Sequence, residues 1–195
     1  MSRLCSIPRA ACWLGLASLL ACGSGPAPST RPAPARAPRI ERVPDANTVA
    51  LLLATNNADL AYARVGASRG TYRDVKALAK RMTTEHTLLN ETLNRLVARL
   101  DLTPRDDEVV RLLREQSNVR RDSLRARSGR EFDSAYVANE VRYHQEILIA
   151  IDKVFLPSAQ RAALRDYVTT LRPVISAHLA HAERVQATLA ALAEK

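Results

Sequence analysis

The sequence predicts an all-α protein: an up-and-down bundle of four core helices joined through a crossover helix, preceded by a disordered proline-rich stalk. Three observations predict it. Ala, Leu and Arg dominate while aromatic residues make up only 4%, a mixture that suits helices better than sheets. Apolar residues recur at alternating spacings of four and three along three long segments, the pattern of a helix seam. Gly, Pro and capping residues fall between those segments, where helices should start and stop.

Residues 1–21 carry Arg3 and Arg9 and then an apolar run from Ala10 to Ala21. A basic start, a dozen apolar residues and a small residue before the cut describe a signal peptide. The run is short of the roughly 20 residues a spanning helix needs. Leu19, Ala21 and Cys22 resemble a bacterial lipobox, which implies cleavage before Cys22 and acylation of its sulfur and its new amino group. Gly23 follows in place of Asp; by resemblance to lipoproteins of two-membrane bacteria, that implies the outer membrane, facing the periplasm. Cys5 and Cys12 leave with the leader, so no disulfide supports the mature fold.

Residues 22–44 hold six of the ten prolines, interleaved with Ala, Ser and Arg and without an apolar period. This reads as a semi-rigid disordered tether. The bundle then occupies 45–195.

The first helix is expected over about 46–69, stopping at Gly70. Thr71 is placed as the cap of a second helix reaching about Asp101. Thr103-Pro104 supplies a cap and first-turn proline for a third, about 104–127. Ser128-Gly129-Arg130-Glu131 has the spacing of a capping box and opens a fourth, ending near Phe155. Pro157-Ser158 starts a fifth, reaching about Ala193, which Pro173 should kink or break. The second helix presents Val75, Ala79, Met82, His86, Leu89, Leu93, Leu96 and Leu100. The fourth presents Val137, Val141, His144, Leu148, Ile151 and Phe155, and the fifth Leu164, Val168, Leu171, Ile175, His178, Ala182 and Val185. The first is less regular, with Val49, Leu53, Asn56 and Leu60 in its stripe and Asp59 beside it. The third is arginine-rich, with Val109, Leu112, Leu113 and Leu124 as its apolar contacts. It is the crossover that lets the second and fourth helices run parallel, as in ferritin-like bundles.

Each tidy seam is interrupted once, and each time by histidine. His86, His144, His178 and Asp59 lie near the centres of their segments. At about 1.5 Å rise per residue they lie within roughly 3 Å of mid-height, whichever way each helix runs. Imidazole and carboxylate donors suit a transition metal ion such as zinc, iron, manganese or copper. Glu140, one turn before His144, is placed to hold the other ring nitrogen. His181, one turn after His178, is a further ligand or an exposed neighbour. Glu85 adjoins His86 but projects about 100° away and is set outside the site. The competing reading is a set of buried histidines that only satisfy hydrogen bonds and fix register.

No Gly-rich phosphate loop, CxxC pair or GxSxG elbow occurs. The acidic run Asp106-Asp107-Glu108 is expected in the first turn of the third helix, where it complements the helix dipole. The net charge of +9 falls to about +4 once leader and tether are set aside, too little for a nucleic-acid footprint. Arg120, Arg121, Arg125, Arg127 and Arg130 read as a solvated face, with anionic lipid or lipopolysaccharide as the other candidate contact.

The segment Ser128-Gly129 through Phe132-Asp133, Tyr136-Val137, Val141 and His144-Gln145 is distinctive. With Val75-Lys76-Ala77-Leu78-Ala79, Met82, Glu85-His86, and Leu171, Pro173 and His178-Leu179, it resembles a bacterial domain-of-unknown-function family, number four-one-four-two. Its members carry outer-membrane or periplasmic labels. The resemblance implies a ferritin-like four-helix fold and export, with no established activity. The wider ferritin-like group holds two irons through a Glu-x-x-His motif on each of two helices. Here Glu85 precedes His86 directly and Glu140 stands four before His144, a departure from that pattern. The function expected is therefore an envelope-anchored, non-enzymatic bundle of no assigned activity, a binding or stress-related accessory whose mid-height layer is a candidate site for a metal ion. The alternatives are a His/Asp metalloenzyme with oxidase or peroxidase-like activity, and a metal-free interaction module using the arginine-rich face.

Overall fold

The structure is a computed structural model that describes residues 43–194, and no strand occurs among them. The signal peptide, Cys22 and all of the tether up to residue 42 lie outside the described residues. Val43 and Pro44, assigned above to the tether, belong to the folded unit. Val43 packs against the core, and the Pro44 carbonyl accepts from Thr48 N at 2.8 Å, closing the first helical turn.

The elements are α1 (Asp45–Arg69), α2 (Arg73–Arg99), α3 (Glu108–Arg125), α4 (Gly129–Ala150), the single turn α5 (Leu156–Ser158) and α6 (Ala162–Ala193). A π-helical stretch, Ile151–Phe155, joins α4 to α5. Helix ends that touch fix the directions. The α2–α3 loop returns to the start of α1, where Arg105 N donates to Ala46 O at 3.0 Å and Asn47 Nδ2 donates to Asp107 at 3.1 Å. Asp45, at the same end, accepts from Gln160 N and Arg161 N at 2.8 and 3.1 Å, just ahead of α6. At the far end Asp133 of α4 accepts from Thr71 N and Tyr72 N, both at 2.9 Å, and from the Thr71 hydroxyl. Thus α1 and α6 run one way, α2 and α4 the other, and α3 is the crossover between them. That is the connectivity the spacing predicted.

These end contacts overturn several expected caps. Thr71 does not cap α2; its hydroxyl is engaged by Asp133, which also takes the free N–H groups before the helix. Thr103-Pro104 stays in the loop. Helix α3 starts at Glu108, with Asp107 as its cap through Val110 N at 2.9 Å. Ser128 is the N-cap residue of α4 without a side-chain bond, and Glu131 pairs with Arg127 instead of completing a capping box. The restart after Phe155 comes at Ala162 rather than Pro157. Helix α6 passes through Pro173 without breaking.

The seams of α2, α4 and α6 form the core as expected, with Val75, Met82, Leu93, Val137, Ile151, Leu164, Val168 and Ile175 fully buried. Helix α1 is buried on nearly every side because α2, α3 and α4 all pack against it. A helix covered all round shows no one-sided stripe, which explains its untidy pattern. Helix α3 turns differently from the expectation. Val109 and Leu112 are 57% and 44% exposed, while Val110 and Leu124 are the residues it buries. Its arginines pair with carboxylates, Arg114 with Asp106 and Arg120 with Glu146 among them.

Candidate metal centre

Each core helix delivers polar side chains to one interior layer: Asn56 and Asp59 from α1, His86 from α2, Glu140 and His144 from α4, and His178 from α6. Asp59, His86, Glu140, His144 and His178 are all 0% exposed. The three imidazoles touch one another, with ring centroids 5.7 Å apart for His86 and His144, 5.1 Å for His86 and His178, and 5.3 Å for His144 and His178. The heights estimated from helix centres therefore coincide in three dimensions.

The outer nitrogens settle which way each ring faces. His144 Nδ1 donates to the Glu140 carbonyl at 2.9 Å. His178 Nε2 donates to Glu85 Oε2 at 2.5 Å, and His86 Nδ1 contacts Asn56 Oδ1 at 3.2 Å. A neutral imidazole that donates from one nitrogen carries a lone pair on the other. Those others, His86 Nε2, His144 Nε2 and His178 Nδ1, are buried without a hydrogen-bond partner. One ligand nitrogen from each ring lies within 4.8 Å of the other two.

Asp59 completes the layer. Its Oδ2 stands 3.6 Å from His86 Nε2 and 3.5 Å from His144 Nε2, and neither of its oxygens has a hydrogen-bond partner. Ligands about 2.0–2.1 Å from one tetrahedral ion lie about 3.3 Å from each other. The observed separations sit within a few tenths of an ångström of that edge and are long for a hydrogen bond.

Electrostatics favours a cation here. Burial lowers all three imidazoles to about 4, with Glu85 acting in the opposite sense on His86 and His178, and Asp59 on His144. They are therefore neutral at pH 7, the form that binds metal. Burial raises Asp59 to about 6, against the pull of His144. Burial and the Asp59 charge push Glu140 well above the usual carboxylate range. At neutral pH one carboxylate charge remains inside the buried layer without a hydrogen-bond partner.

Two assigned roles change. Glu140 orients His144 through its backbone carbonyl, not its carboxylate, whose oxygens lie unpartnered. That carboxylate forms a second close group with Asp59 and His144, again within 4.8 Å, so it faces the layer directly. Glu85, set outside the site above, is part of it: its sideways projection from α2 carries it to His178 on α6 instead of to its neighbour His86. The signal for it was its position on the flank of a seam, where a long side chain reaches the adjacent helix. Asn56 was visible as a polar residue in the α1 stripe but had no assigned partner. His181 is only half-buried and joins neither close group.

No curated protein and no protein of solved structure matches the chain. A family model does match, over residues 29–185, a span that includes every residue of the buried layer. On that match the chain belongs to the family described as Domain of unknown function (DUF4142).

Proposed function

We propose that this protein is an envelope-anchored lipoprotein whose ferritin-like bundle binds one first-row transition metal ion through His86, His144, His178 and Asp59. The observation that carries the reading is that three imidazoles, each with a partnerless nitrogen, meet in one layer, two of those nitrogens 3.6 and 3.5 Å from a partnerless Asp59 oxygen. Buried polar groups are otherwise hydrogen-bonded, and each orphan costs free energy. An ion accounts for all four at once, and three nitrogens with one oxygen is a donor set that zinc, iron, manganese and copper accept. The full burial of every donor supports holding an ion over turning over a substrate. The pairing of α3 arginines with carboxylates supports a solvated face there rather than a lipopolysaccharide contact.

Elemental analysis of the tag-free protein tests the reading, alongside a His86, His144 and His178 triple alanine variant checked for helical content. One ion per parent chain and none in the folded variant is the expected result. Metal content far below one in both would leave a layer that only fixes helix register. For the anchor, Cys22→Ser is expected to move the protein from the membrane to the soluble envelope fraction, and unchanged retention would count against lipidation.

A further inference from the structure

The donor layer is sealed, yet one chain of contacts leads out of it. His178 is 0% exposed, and its outer nitrogen lies 2.5 Å from Glu85 Oε2. The Glu85 side chain is 33% exposed, and its other oxygen accepts from Arg81 Nε at 2.7 Å. Asp59 and Glu140, the other carboxylates of the layer, have no exposure at all.

We infer that Glu85 is the outer landing carboxylate for a divalent cation, held shut by Arg81, from which the ion passes to His178 and the buried layer. This rests on the metal reading above. The guanidinium of Arg81 occupies the outward oxygen of Glu85 as a fixed positive charge. An arriving cation takes that oxygen and Arg81 swings into solvent, which costs little for a half-exposed ion pair. The same carboxylate holds the outer nitrogen of His178. Releasing it frees the ring to turn its donor outward, collect the ion and carry it in. Charge at a narrow mouth changes capture rates by ten- to a thousandfold, so the signature is kinetic.

The test is stopped-flow uptake of Co²⁺, followed by its visible bands, into the metal-free full chain and two variants. Glu85→Gln is expected to slow association by about tenfold or more, with the change in the association rate exceeding any change in the rate of release. Arg81→Met, which removes the competing charge from a half-exposed pair, is expected to speed association. A Glu85→Gln variant that associates at the parent rate but releases Co²⁺ faster would overturn the proposal, since Glu85 would then only orient His178. Slower uptake in Arg81→Met would overturn it as well. A parent that takes up no Co²⁺ would sink the metal reading, and the entry route with it.

Discussion

Four buried carboxylates fall into two kinds, and the contrast separates architecture from chemistry. Asp45 and Asp133 sit at the ends of the bundle, and every nearby backbone donor is spent on them: two N–H groups on Asp45, two and a hydroxyl on Asp133. Asp59 and Glu140 sit at its middle, where the ladders of the surrounding helices leave no N–H free; Asp59 finds no partner at all, and Glu140 has only the Asn139 and Tyr136 side chains acting on it. A carboxylate at a helix N-terminus is stabilised by the dipole and the open N–H groups. One in the middle of four helices is stabilised by nothing the backbone can offer. The first kind holds the fold together, and the second is retained at a cost that a bound cation would offset.

The largest expected effect breaks the first kind. Asp133→Ala orphans the two N–H groups before α2 and should lower the unfolding free energy by about 3 kcal/mol. Its metal content should stay unchanged, since no donor of the middle layer is touched. Chemical denaturation with elemental analysis checks both halves. A loss of metal in the folded variant would show that end and middle are not separate.

Next in size is the opposite sign. Asp59 titrates at about 6 in the folded chain against 3.8 otherwise, so the unfolded chain loses its proton first as pH rises. Its contribution to stability is present below about 4, is lost progressively through about 6, and remains lost above that. Asp59→Asn should therefore stabilise the metal-free protein by up to about 3 kcal/mol at pH 7.5 and hardly at all at pH 4, while binding of the ion collapses. Thermal melts at the two pH values decide it; equal stability of parent and variant at pH 7.5 would mean the carboxylate is not strained.

A titration sharpens the same point. Exposed histidines protonate near 6.5, but these three do so only at about 4. Metal affinity should weaken modestly as Asp59 protonates near 6 and fall steeply only towards 4, measured by competition with a chelator of known pH dependence. A steep loss already at 6.5 would mean that the imidazoles are not shielded. The smallest effect is Asp45→Asn, which keeps one acceptor for Gln160 and Arg161 and should cost about 1 kcal/mol, without altering metal content.

The residues read most readily from the sequence were those whose neighbours lie along the same helix. His86, His144 and His178 interrupt 4-3 seams, and a seam says which side of a helix faces inward, so their convergence followed from spacing alone. Asp59 was harder, because α1 is covered on nearly all sides and has no single stripe to be read against. Glu85 was misread for the complementary reason. Its angle from His86 was right, but what lay in that direction was α6, and spacing along one helix says nothing of a neighbour's position. The caps failed in the same way: Thr71 and Ser128 have suitable local chemistry, yet α2 is finished by a residue 62 positions away along the chain from Thr71.

That pairing of distant ends has a further consequence. Asp45 belongs to the α1–α2 hairpin and completes α6, while Asp133 belongs to the α4–α6 hairpin and completes α2. Neither half of the chain carries the groups needed to finish its own helices, so each would fray at one end if severed from the other. A chain built this way completes those helix ends only across its two halves, which ties the hairpins together at opposite ends of the bundle and holds the four core helices in register.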